Sequence, residues 1–236
     1  MVRVLVTRPE PGASRTARRL RDMGFQPILL PLTETVAVDA GAVPDDAVAV
    51  AVTSANALRH APKALIAALA ALPCHAVGRR TAQAAREAGF VSVSEGSGDA
   101  EALADALAGS LSGKTIAYLC GRVRFATFEE RLEAAAVHVR AVETYDTLAL
   151  DYPDADIIDR LAGQPVEMVL LYSAKAAAAV RTLIERPELH DLFEKTRFLA
   201  LSGRIAAALG DIFSERIHIA KKPDEEALLA LLRQRR

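Results

Sequence analysis

The chain has 236 residues, 51% of them hydrophobic, enough for two domains of ordinary size with a buried core in each. Its 29 Lys and Arg set against 30 Asp and Glu give a formal charge of -1, so no overall field favours nucleic acid or a membrane surface, and any anion site must be local. The two cysteines, Cys74 and Cys120, make neither a metal-spaced cluster nor a disulfide framework, and a reducing cytoplasm is the expected compartment.

In chain order, the apolar run at Met1 to Thr7 is too short for a signal sequence and is stopped by a turn, so it reads as a first buried strand over 2–7. A helix from Arg15 to Gly24 and a strand over 27–32 follow, the latter running on through Thr33 to Val38. Strands are then expected at 47–53, 74–77 and 91–93. The Ala/Leu-rich tract from Ala61 to Pro73 is too short to span a bilayer and carries Lys63, so no membrane segment is expected. The second half repeats the alternation, with a strand over 115–120, a helix from Phe125 to Ala136, and a strand over 138–144 that runs on through Thr147 to Leu150. Strands at 167–172, 197–201 and 216–220 complete it. Short apolar runs alternating with helical stretches are the pattern of βα units, and predict an α/β fold with two parallel sheets of about five strands each.

The halves resemble each other. Val50 to Ala57 matches Val169 to Ala176, each strand, Ser, helix; Ala76 to Ala82 matches Ala200 to Ala206; and Asp99 to Leu103 matches Asp224 to Leu228, each an acidic helix start. The repeat boundary falls near Gly113, which need not be where the folding domains divide.

Parallel sheets bind ligands beyond the carboxyl ends of their strands, where helix amino termini present free N–H groups. Those positions hold Thr7-Arg8, Thr53-Ser54-Ala55-Asn56, Gly78-Arg79-Arg80-Thr81, Gly121-Arg122-Val123-Arg124, Ser173-Ala174-Lys175 and Ser202-Gly203-Arg204. Taken singly, the Ser and Thr residues are ordinary helix caps. Small or hydroxyl residues beside cations, repeated at nearly every strand end of a neutral chain, point to a polyanionic ligand in a cleft between the domains. No G-x-G-x-x-G or Walker lysine loop follows a strand, Gly96-Ser97-Gly98 reads as a loop, and the five histidines show no metal or triad spacing, so neither a nucleotide cofactor nor a metal is expected. Tyr145, in Glu143-Thr144-Tyr145-Asp146-Thr147, either packs its ring at the junction or offers a phenolic proton to a leaving oxygen.

With these pieces in order along the chain, the sequence resembles the uroporphyrinogen-III synthase family. The resemblance is carried by Val4 to Pro9, Thr53 to Ala57, Ala76-Val77-Gly78 with Thr81-Ala82, Glu143 to Thr147, and Tyr172-Ser173-Ala174. It implies two three-layer α/β/α domains that exchange segments and are joined by a two-stranded linker, one comprising 1–37 with 150–236 and the other 38–149. It implies cofactor-free closure of linear hydroxymethylbilane to uroporphyrinogen III, with inversion of the last ring and loss of water. That substrate carries an acetate and a propionate on every ring and is polyanionic. Tyr145 matches the family's proposed acid, and Thr81 and Ser173 match its site residues. Ile205 stands where the second-domain motif usually has threonine. A monomer is expected, with transient contact to hydroxymethylbilane synthase. A non-catalytic sensor of a polyanionic small molecule and a sugar-phosphate enzyme are the alternatives; Tyr145 disfavours the first, and the second lacks an acid/base His or Glu at a strand end.

Overall fold

The computed structural model describes residues 1–42, 44–124 and 126–233, with the side chains of 211–213 left aside. In chain order the elements are β1 (Arg3–Val6), α1 (Gly12–Asp22), β2 (Gln26–Leu29), β3 (Thr33–Ala37), β4 (Ala47–Val52), α2 (Ala55–Arg59), α3 (Lys63–Leu69), β5 (Cys74–Ala76), α4 (Arg79–Ala88), β6 (Val93–Glu95) and α5 (Ala100–Leu111). There follow β7 (Thr115–Gly121), α6 (Thr127–Ala134), β8 (His138–Ala149), α7 (Asp154–Arg160), β9 (Met168–Leu171), α8 (Ala174–Ile184), α9 (His190–Phe193), β10 (Arg197–Ala200), α10 (Gly203–Leu209), β11 (Ile217–Ile219) and α11 (Glu225–Ala230). Phe125, expected to begin a helix, lies outside the described residues; α6 begins at Thr127. None of the described helices is long and apolar enough to cross a membrane.

The chain forms two compact units, Met1–Glu34 with Leu148–Arg236, and Thr35–Thr147. The first holds a parallel sheet in the order β11-β10-β9-β1-β2, and the second a sheet in the order β3-β8-β7-β4-β5-β6 whose pairs from β8 to β6 are parallel. With β7 equated to β1, β8 to β2, and β4, β5, β6 to β9, β10, β11, the five common strands run in the same order in both sheets. The sequence repeat is therefore a structural one. Of these common strands, each repeat gives two to one sheet and three to the other, and the first repeat adds β3 to the second sheet.

Both faces of each sheet are buried, which is why the strands read as unbroken apolar runs. In β1, Leu5 enters one cluster, with Ile157, Leu161 and Phe198, while Val4 and Val6 enter another, with Leu20 of α1 and Leu228 of α11. In β4, Val50 and Val52 pack under α2, α3 and α4, while Ala49 and Ala51 face α5 and α6. Side chains alternate faces along a strand, so one run of apolar residues supplies two cores.

Two expected boundaries shift. The expected run from 27 through 38 is two strands, because β2 stops at Leu29 and Pro31, which has no N–H to give a ladder, lies before β3. The strand expected at 91–93 runs instead from Val93 to Glu95, since Val91 is 86% exposed and pairing with β5 begins at Val93 opposite Cys74. Beside β8, β3 is paired at both ends of its run: the Val38 N–H donates to the Thr144 carbonyl at 3.1 Å, and the Leu150 N–H to the Leu32 carbonyl at 2.9 Å.

Candidate active site

In the first unit, Thr7 follows β1 fully buried and donates its hydroxyl to the Leu170 carbonyl at 3.1 Å, tying β1 to β9. Arg8 folds back over Gly12, whose Cβ, if present, would lie 2.5 Å from the guanidinium Nε. Its guanidinium carbon lies 4.1 Å from the centre of the Tyr172 ring and its Nη1 3.1 Å from Glu225 Oε1. The same Oε1 accepts from Thr16 at 2.6 Å and from Tyr172 at 2.9 Å, while Oε2 accepts from Arg19 at 3.2 Å. Burial would raise the Glu225 carboxyl, but the Thr16 and Tyr172 hydroxyls and the charges of Arg8 and Arg19 outweigh it and leave it below the ordinary carboxylate range. Burial pushes the Tyr172 phenol up to about 12.

At the other strand ends of this unit, Ser173 accepts from the Ala176 N–H at 3.1 Å and caps α8, with Ala174 half-buried and Lys175 exposed in its first turn. Ser202 precedes α10 without a side-chain cap bond, followed by exposed Gly203 and Arg204. Ile205, in the first turn of α10, is 4% exposed and packs in the apolar cluster of Leu171, Ala200 and Leu209. Its side chain serves the core. Ile205→Thr is expected to lower stability by about 1–2 kcal/mol through a buried hydroxyl and lost apolar contact, read from the denaturant midpoint, without changing the reaction product.

In the second unit, Thr53 shares a 2.7 Å hydrogen bond with the Tyr118 hydroxyl. Ser54 caps α2 through the Asn56 N–H at 3.2 Å, Ala55 is buried beneath it, and Asn56 accepts from Arg59 at 3.3 Å. Gly78, immediately before α4, lies in extended backbone under the 96–98 loop, whose Gly96 and Gly98 N–H groups bond the Ala76 and Val77 carbonyls at 2.8 and 2.7 Å. A Cβ on Gly78 would lie 3.0 Å from Gly98 Cα, so close backbone approach requires this glycine. Thr81, in the first turn of α4, is 5% exposed, and its hydroxyl makes no hydrogen bond among the described residues.

The carboxyl end of β7 and the stretch of β8 beside it hold a network of polar groups. Cys120 pairs with Glu143, but Gly121 pairs with Tyr145, so Thr144 is an extra residue on β8 and makes a bulge. Tyr145 lies against Gly121, where a Cβ would stand 2.6 Å from its Cζ and 3.0 Å from its hydroxyl oxygen. Arg122 donates its backbone N–H to the Tyr145 carbonyl at 2.8 Å, and its guanidinium reaches Glu143 at 3.3 Å and Asp146 at 3.7 Å. Arg124 binds Glu143 at 2.8 Å and Glu129 at 2.6 Å, and its hydrogen bond, with those of Arg122, holds the Glu143 carboxyl below its ordinary range.

Of the four tyrosines, Tyr118, Tyr152 and Tyr172 use their hydroxyls in hydrogen bonds, to Thr53, the Pro31 carbonyl and Glu225. The Tyr145 hydroxyl makes none among the described residues. Its ring centroid lies 6.1 Å from that of His60, whose ring burial and then the neighbouring Arg59 hold below its ordinary value, hence neutral at neutral pH. Among the described residues, no group of three or more His, Cys, Asp or Glu could hold a metal ion.

Sequence reading did not single out Glu225, Thr144 or His60 as site residues. For Glu225 the available signal was the repeat itself: unit two has Ala100 at the matching helix start.

The sequence matches the profile of one protein family, described as Uroporphyrinogen-III synthase HemD, over residues 14–230. No curated relative matches the chain. Among solved structures, the chain is similar to a uroporphyrinogen-III synthetase from Helicobacter pylori 26695, with 18% identity, TM-score 0.67 and 98% of each chain covered. It is also similar to a mutant uroporphyrinogen III synthase from the extremely thermophilic bacterium Thermus thermophilus, with 18% identity, TM-score 0.56, and 99% of this chain and 98% of that one covered. At these identities the two structures speak for the fold.

Proposed function

The chain belongs to the uroporphyrinogen-III synthase family, and from that membership we propose that it closes hydroxymethylbilane to uroporphyrinogen III with Tyr145 as the acid. The observation that carries the assignment of the acid is the Tyr145 hydroxyl, which makes no hydrogen bond among the described residues and is held beside the carboxyl end of β7 by a bulge in β8 and a glycine.

The reaction requires the hydroxyl of the bilane to leave as water. Its departure is driven by the pyrrole nitrogen, which delocalises the resulting cation, and is assisted by a proton from the Tyr145 phenol. The substituted carbon of the last ring then attacks that cation and gives a spiro centre. Reopening and reclosure invert the ring, and the proton finally lost from carbon restores the phenol. Atoms balance as one bilane to one macrocycle and one water. No step needs an added oxidant, reductant or metal.

Uncatalysed closure gives the uninverted type I isomer, so holding one conformer is the larger catalytic term and acid assistance the smaller. The carboxylates of the substrate would be met by hydroxyls and helix-start N–H groups at the strand ends of each unit, with Thr81 and Ser202 contributing hydroxyls not used for capping. Arg8 and Arg122 contribute positive charge already paired with carboxylates. On this reading Thr81→Ala raises KM about three- to tenfold with kcat nearly unchanged, because the lost contact is made equally in ground and transition states. Steady-state kinetics with freshly generated bilane would show it.

The primary test is to add the purified protein to fresh hydroxymethylbilane without cofactor and to separate the type I and type III products after oxidation. Dominant type III product supports the reading. Type I product alone, at the uncatalysed rate, would sink it and leave a protein that binds a polyanionic small molecule unchanged. The chain is further proposed to work in the cytoplasm as a monomer that receives its unstable substrate from hydroxymethylbilane synthase by transient contact. Failure of the two proteins to co-migrate at high concentration would count against the handover.

A further inference from the structure

We infer that Thr144 is a positioning residue for the reaction, its buried hydroxyl fixing the bulge that aims Tyr145. The inference rests on the acid role proposed for Tyr145. Thr144 is fully buried and touches no solvent, so it cannot meet the substrate. Its hydroxyl lies 2.7 Å from the Ala57 carbonyl and 3.4 Å from the Cys120 carbonyl. A hydroxyl has one proton, and the shorter contact is the one it makes.

That bond joins two elements that the backbone does not join. Ala57 belongs to α2, and α2 is followed directly by His60, against whose ring Tyr145 is tilted. Pulling Thr144 towards α2 takes it out of register with Gly121, which is how Tyr145 comes to pair with that glycine. From the other side the Val38 N–H holds the Thr144 carbonyl at 3.1 Å, and the Arg122 N–H holds the Tyr145 carbonyl at 2.8 Å. A bulge redirects the side chains that follow it, and this one is pinned at its extra residue. The phenol itself makes no hydrogen bond among the described residues, so its aim depends on the backbone beneath it and on the ring contacts with Gly121 and His60.

The test compares Thr144→Val, which keeps the shape and removes the hydroxyl, with Thr144→Ser, which restores it, each alone and with Tyr145→Phe. Turnover in Thr144→Val should fall about ten- to a hundredfold, the loss expected when a reacting group is displaced by a fraction of an ångström to an ångström. KM should stay within about threefold, and Thr144→Ser should recover most of the turnover. On the Tyr145→Phe background the valine should cost nothing further, because its effect passes through the missing hydroxyl. The His60 ring resonances, identified by their loss in His60→Asn, should shift in Thr144→Val and return in Thr144→Ser.

Wild-type turnover in Thr144→Val overturns the inference and leaves the acid role of Tyr145 standing. So does a valine penalty of the same size on the phenylalanine background, or one that serine does not relieve. Full activity of Tyr145→Phe removes the acid role and, because the inference rests on it, the inference as well. Should Thr144→Val fail to fold, Thr144→Ala replaces it, judged against Thr144→Ser and on the Tyr145→Phe background in the same way. Loss of turnover at constant KM, with a shifted His60, supports the inference, and wild-type behaviour overturns it.

Discussion

Tyr145→Phe is expected to lower kcat about a hundredfold and to leave KM within about threefold, the signature of a group that acts on the leaving hydroxyl in the transition state. The substitution deletes one oxygen that makes no hydrogen bond among the described residues, and the ring keeps its place over Gly121 and beside His60. Stability should therefore change by no more than about 0.5 kcal/mol. A companion substitution separates acid assistance from burial of a ring: Tyr118→Phe also removes a phenol, but one bonded to Thr53 at 2.7 Å, and should cost stability without a comparable loss in kcat.

The product ratio sharpens the same test. Spontaneous closure competes with the enzyme and yields type I, so a slowed enzyme that still holds the correct conformer makes type III in a diminished share, set by the two rates. If Tyr145 acted on conformer selection instead, type I would form on the enzyme and its share would not fall as enzyme is added. Titrating Tyr145→Phe protein into fixed bilane distinguishes the two, and undiminished kcat would remove the acid role altogether.

The fold was legible because its strands are buried on both faces. Val4-Leu5-Val6 and Val169-Leu170-Leu171 serve two cores each, and that demand leaves short unbroken runs of Val and Leu, where the apolar runs of α3 and α8 are rich in Ala. The repeat was legible for a related reason, since a strand, a small residue and a helix start must recur wherever a parallel βα unit recurs. The end of a strand was less so: β2 and β3 merged in the reading because Thr33 to Val38, rich in β-branched residues, continues the strand-like composition past Pro31.

The candidate site was legible as positions and not as partners. Arg8 and Arg122 could be seen to follow strands, but an ion pair is set by tertiary approach. The carboxylate that meets Arg8 lies 217 residues away. The pairing of Tyr145 with Gly121 was hidden for another reason: period-two alternation in β8 sets Thr144 opposite Gly121, and only a bulge moves Tyr145 into that place. The same alternation gives no cue that Thr144 seeks a carbonyl in α2, since threonine is ordinary in a strand.

Glu225→Ala is expected to be strongly destabilising without touching the proposed acid. The carboxylate receives Arg8, Thr16, Tyr172 and Arg19, and its removal leaves the Arg8 guanidinium, 17% exposed and stacked on Tyr172, without its counter-charge. Breaking such a pair from one side costs about 3–5 kcal/mol when fully buried, and with Glu225 itself 27% exposed the expected loss is about 2–3 kcal/mol. That corresponds to a Tm lower by roughly 5–10 °C. Glu225→Gln, which keeps an acceptor but no charge, should lie between the two. The folded carboxyl titrates below its unfolded value, so the native state binds fewer protons across the interval between them. Its stabilisation is complete above the ordinary carboxylate range and is lost as pH falls through and below it. The Tm gap between wild type and Glu225→Gln should accordingly be full at pH 7 and narrow steadily in acid. A gap that stays constant down to the acid limit of folding would mean that the amide loses shape or hydrogen-bond geometry, and that the charge contributes little to holding α11 against α1 and β9.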